Sequence, residues 1–114
     1  MRIVRTSITL TELTELAEDR FGDLVKAVID LDREVMAVGE GMHADEEAGL
    51  LADGSRQADL WGINLYPADH GNAGFVEFDS MINLRPGNGN RTRGVDEPAT
   101  RTRILDLVGR LVAP

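Results

Sequence analysis

Leu10, Leu13, Leu16 and Ala17 recur at intervals of one to three residues on one helical stripe, which predicts an amphipathic helix near the start of the chain. Thr9 stands before it as an N-cap, and Glu12 three residues later completes a capping box. Phe21 followed by Gly22 supplies the stop. Ahead of this helix, Ile3-Val4 reads as a short first strand. After it, residues 24–31 are rich in Val and Ile, Asp30, Asp32, Arg33 and Glu34 supply a polar turn, and residues 35–38 return, the pattern of a β-hairpin.

Gly39-Glu40-Gly41 breaks that hairpin, and a second helix is expected over 44–52, with Gly54 as its stop. Residues 60–66 predict a strand closed by Pro67, 68–74 a loop, and 75–84 a returning strand ended near Pro86. Residues 87–94 (GNGNRTRG) are too rich in Gly and Asn for a regular element. Pro98 suits the first turn of a last helix reaching about residue 112, with Ile104, Leu105, Val108, Leu111 and Val112 as its apolar face. The order predicts an α+β fold: a mostly antiparallel four-stranded sheet with three helices packed on it.

Composition narrows this only a little. The 114 residues suit a single domain, and an apolar fraction of 42% is enough for a core built from Leu, Val, Ile and Ala, since aromatics are few. No apolar run approaches the ~20 residues of a membrane span, and no secretory signal is apparent. With no Cys there is neither a disulfide framework nor a thiolate metal site, and a cytoplasmic location is expected. The net charge of −8 argues against nucleic acid as a partner, although the arginines gather towards the C-terminus.

Three places could carry chemistry. Strand alternation would gather Asn64, Tyr66, Glu77, Asp79, Asn83 and Arg85 on one polar sheet face. An outer face wetted by solvent would look similar, but Asn and Asp are poor strand formers and an odd choice for it. That alternation puts Ser80 on the apolar side. The second place is His43 with Asp45, Glu46 and Glu47 at the start of a helix, where acids suit the helix dipole and His could bind a metal or act as a base. The third is the segment from Arg85 through Asn90, Arg91 and Arg93 to Gly94. Its glycines and guanidinium groups suit an anion, or else one of the two later arginines pins the loop by pairing with Asp79 or Glu77.

His43 at a helix start after a hairpin also invites comparison with zinc-dependent nucleoside deaminases, which carry His-x-Glu there. Asp45 stands where their Glu would be and the chain has no Cys, so that zinc site cannot be assembled. A closer resemblance rests on Ala17 to Lys26, His43-Ala44-Asp45-Glu46-Glu47, Leu60 to Pro67, Phe78-Asp79-Ser80-Met81-Ile82-Asn83 and Gly89-Asn90-Arg91 through Val95. Together these blocks resemble a small family of uncharacterised prokaryotic proteins, classed as a domain of unknown function. The resemblance implies no activity, substrate or cofactor.

Two readings of function remain open from sequence; a third, RNA binding or cleavage at the Arg-rich loop, runs against the acidic total and finds no interleaved aromatic platform. In one, His43, Asp45, Glu46, Glu77 and Asp79 would move protons or hold a metal, while Asn64, Tyr66, Asn83, Arg85, Asn90, Arg91 and Arg93 would bind a small anionic ligand. In the other, the same face is an interaction surface for a protein partner or a homo-oligomer.

Overall fold

Residues 25–30 (VKAVID) are nearly continuous in apolar character because their strand is covered on both faces. The computed structural model describes residues 1–114 and places this strand, β3 (Val25–Asp30), at the centre of a five-stranded antiparallel sheet. The other strands are β1 (Arg2–Val4), β4 (Val35–Val38), β5 (Leu60–Leu65) and β6 (Val76–Glu77). Their order is β1-β4-β3-β5-β6. The expected four strands are thus five, because Ile3-Val4 pairs with β4 through Ile3↔Ala37 and Val4↔Met36 and extends the sheet. A separate parallel pair joins β2 (Ile8–Thr9) to β7 (Val112–Ala113).

Helices α1 (Leu10–Arg20) and α3 (Pro98–Leu111) cover one face, and α2 (His43–Ala52) covers the other. The larger core joins Leu13 and Ala17 of α1 and Ile104, Leu107, Val108 and Leu111 of α3 to Ala27, Ile29, Ile63 and Leu65. A smaller core lies under α2, where Leu50 packs on Val28, Ala37 and Leu60. No helix is long and apolar enough to cross a membrane.

The local signals behind the helices hold. Thr9 and Glu12 form the capping box at α1, with Glu12 N–H to Thr9 Oγ1 at 3.1 Å and Thr9 N–H to Glu12 Oε1 at 3.0 Å. Pro98 occupies the first turn of α3. Helix α2 starts one residue before the expected position, at His43, and Met42 gives it no side-chain cap.

The expected strand over 75–84 is the main correction. Only Val76 and Glu77 pair with β5, and the chain then leaves the sheet. Ser80 Oγ accepts the Ile82 N–H at 3.3 Å and starts a short 3₁₀ turn over Met81–Asn83. Asn83 then does with its side chain what a strand would do with its backbone. Its Oδ1 accepts the Gly62 N–H at 2.8 Å, and its Nδ2 donates to the Gly62 carbonyl at 2.9 Å. One amide side chain therefore satisfies the exposed edge of β5, a competition with ladder pairing to which Asn is suited.

Two consequences follow for the expected polar face. Asn83 is fully buried as a structural clamp rather than displayed on an open surface. Arg85 lies with its guanidinium carbon 4.5 Å from the Trp61 ring centroid and donates to the carbonyls of Gln57 (2.6 Å) and Leu60 (2.7 Å). Ser80, expected on the apolar side, faces Gly62 on the α2 side of the sheet, so close that a Cβ at Gly62 would stand 2.5 Å from Ser80 Cβ and Oγ.

Candidate functional site

Helix α2 crosses the sheet so that its first turn lies beside β5, and a cleft of about 210 Å³ opens there. Gly41, Met42, His43 and Ala44 form one wall; Lys26 and Asn64 come from the sheet; Asp79, Ser80, Met81, Ile82 and Arg93 form the opposite wall. The departure of residues 78–83 from the sheet makes this opening, since a continued β6 would have lain flat against β5.

His43 is 7% exposed, and its Nε2 lies 2.7 Å from the Ile63 carbonyl. A carbonyl only accepts, so Nε2 carries the proton and Nδ1 keeps a free lone pair. Burial lowers the imidazole pKa below its ordinary 6.5, opposed by the Ile63 hydrogen bond and reinforced by the charge of Lys26. The ring is therefore neutral at pH 7.

Asn64 is 5% exposed. Its Nδ2 donates to Glu77 Oε1 at 2.9 Å and towards the Asp79 carbonyl at 3.4 Å, which fixes the orientation of the amide. Its Oδ1 is buried and has no hydrogen-bond partner. Such an orphan costs about 1–3 kcal/mol and calls for an explanation.

Two cations line the cleft, Lys26 and Arg93, and a third, Arg20, lies near its Gly41 wall. Lys26, the only lysine in the chain, sits opposite Asn64 in the β3–β5 register. Its Nζ has the Phe21 ring 5.4 Å away and no carboxylate partner. Arg93 Nε donates to Asp79 Oδ1 at 2.7 Å, leaving its two terminal nitrogens free. Arg20 makes no ion pair, and its Nη1 would lie 3.2 Å from a Cβ at Gly41. Glu46, also in the first turn of α2, does not offset them. It is wholly buried, and desolvation lifts its pKa from 4.5 to about 9, so it is protonated and neutral at pH 7.

Of the residues singled out from sequence, the fold brings His43, Asn64, Asp79 and Arg93 to this cleft. Glu77 stands just outside, accepting from both Asn64 Nδ2 and the Tyr66 hydroxyl (3.1 Å). Asp45 is exposed on α2, and Glu46 is buried behind the cleft wall. No three His, Asp or Glu side chains gather as ligands for a metal ion. The Gly/Asn/Arg segment is organised inward rather than towards a ligand. Asn90 Nδ2 donates to the carbonyls of Asn83 (2.7 Å), Gly94 (2.8 Å) and Thr92 (3.1 Å), and its Oδ1 accepts the Asp96 N–H at 2.9 Å. The Arg91 side chain is exposed and outside the cleft; only its backbone N–H is engaged, with Asp96 at 2.6 Å.

Sequence reasoning missed Lys26, Ser80 and Gly41. A readable signal existed for Lys26, a lone cation inside an apolar strand. None existed for Ser80, because its place depends on the turn it caps.

The fold and cleft define a three-layer α+β domain with a small polar, cation-bordered cavity at the start of the helix that covers one sheet face. The chain belongs to the family described as Protein of unknown function (DUF5674), which matches residues 2–111. No curated protein and no solved structure matches it.

Proposed function

We propose that the cleft beside the start of α2 binds a small molecule that carries a negatively charged group. The observation that supports this most is the convergence, in one concavity of an acidic chain, of Lys26, which has no carboxylate partner, with the terminal nitrogens left over from the Arg93–Asp79 ion pair. The buried carboxyl of Glu46 is neutral and does not offset these cations. The backbone N–H groups of His43 and Ala44 add to them, since Met42 provides no cap and the helix dipole favours an anion there. The volume of 210 Å³ lies below the usual range for drug-sized ligands, so the ligand is small.

A larger groove, about 440 Å³, runs between α3 and residues 70–78, but it is lined chiefly by Phe75, Val76, Phe78, Leu105 and Val108. Its His70 packs edge-on against Phe75 at 5.0 Å, and no set of polar groups converges there. It supports a site less well.

Thermal unfolding in a panel of small carboxylates and phosphates tests the reading. A ligand bound by the native state alone raises stability by about 2.7 kcal/mol at a hundred times its dissociation constant. The expected result is a rise with at least one anion that is lost in both Lys26→Ala and Arg93→Ala. A rise that survives both substitutions would place the binding elsewhere and end the proposal.

A further inference from the structure

Donors make up only half of the cleft. Asn64 Oδ1 is a buried acceptor with no partner, held in that orientation by the two bonds its Nδ2 makes. His43 Nδ1 is a second acceptor, because Nε2–H is committed to Ile63. Asp79 adds a third, the carboxylate oxygen that Arg93 Nε does not engage. A bare anion would satisfy Lys26, Arg93 and the α2 N–H groups but leave these acceptors unmatched. A purely cationic or neutral ligand would leave the cations unmatched.

Resting on the reading of the cleft as an anion site, we infer that its ligand is bipolar: a compact carboxylic acid that also carries a hydroxyl or amino group near the carboxylate. The carboxylate lies towards Lys26 and the start of α2, where free donors are concentrated. The hydroxyl or ammonium group donates to Asn64 Oδ1, with His43 Nδ1 and Asp79 available to the remaining hydrogens. A group built to bond a ligand O–H or N–H discriminates strongly against the analogue lacking it, because the buried acceptor is then left unpaired. Asn64 is on this account a specificity determinant, and the cations provide attraction common to all anions.

The test compares probes of one carbon skeleton on the wild-type protein: propionate, lactate and alanine, with inorganic phosphate as a bare anion of another shape. Affinities are read by calorimetry or by chemical-shift titration. Lactate or alanine is expected to bind at least tenfold more tightly than propionate. Asn64→Ala, verified as folded by circular dichroism, is expected to erase that preference while leaving the propionate affinity within a few-fold. Equal binding of propionate, lactate and alanine overturns the inference and leaves the anion reading standing. Phosphate binding more tightly than either donor-bearing acid does the same. A silent panel, with no probe bound, overturns both together. The wild-type series alone decides the matter should the Asn64 variant fail to fold.

Discussion

Glu46 is buried without a counter-charge in contact and must take up a proton to fold above pH 4.5, so replacing it with a neutral isostere should make the protein more stable there. Its Oε2 accepts the Glu40 N–H at 3.2 Å, while Oε1 has no partner. Burial is the largest cause of the rise from 4.5 to about 9; the Glu40 N–H and the charges of Lys26 and Arg20 oppose it. Across that window the native protein holds a proton that the unfolded chain has released. The native state therefore binds more protons, and stability falls as pH rises from 4.5 towards 9, being complete only at the acid end. At about 1.4 kcal/mol per pH unit, the loss accumulated by pH 7 is roughly 3 kcal/mol. Gln has the shape of the protonated acid and keeps an oxygen for the Glu40 N–H, so Glu46→Gln removes this cost. Denaturant unfolding of both proteins at pH 4, 7 and 8 is the assay. The variant should match the wild type near pH 4, exceed it by roughly 3 kcal/mol at pH 7, and gain further at pH 8. A variant no more stable at pH 7, or a gain independent of pH, would refute the reasoning. The same result bears on the cleft, because a charged Glu46 would weaken the field of Lys26 and Arg20.

Gly62→Ala would place a methyl group 2.5 Å from Ser80, and overpacking of this kind should cost about 1–3 kcal/mol in denaturant unfolding; an unchanged midpoint would show that Ser80 is free to retreat. Asn90→Ala removes a side chain that bonds four backbone groups. It should lose roughly 2–4 kcal/mol and become open to trypsin after Arg91 or Arg93, whereas resistance equal to wild type would mean that the segment is held by other contacts. Arg91→Ala should leave ligand affinity unchanged while Arg93→Ala weakens it roughly tenfold, and the opposite order in a titration would assign the anion to the loop instead of the cleft.

Much of the fold was legible because its signals are local. The capping box at Thr9 and Glu12, the stripe from Ile104 to Leu111 and the Val/Ile-rich hairpin each depend on residues close in sequence. Residues 75–84 were misread because alternation there coincides with a different device. Ser80 caps a turn, and Asn83 reaches across 21 positions to the backbone of Gly62. Periodicity cannot detect a side chain that takes the place of a strand. The candidate site was half visible for the same reason. His43 and Asn64 stood out as chemistry-bearing residues on or beside predicted elements, but the polar face assigned to Asn83 and Arg85 assumed a straight strand. The strand's early end turned both residues into clamps, at Gly62 and at Leu60, and opened the cleft that Lys26 and Ser80 line.

Because the chain contains one lysine, protein carrying carbon-13 at the lysine side chain gives a single Lys signal from the cleft itself. Titrating it with lactate and alanine is the most direct test of the site. The account predicts a saturable shift of that signal in the wild type, much weakened in Arg93→Ala. A Lys26 signal that stays in place while the ligand demonstrably binds, or while no acid binds at all, would contradict it.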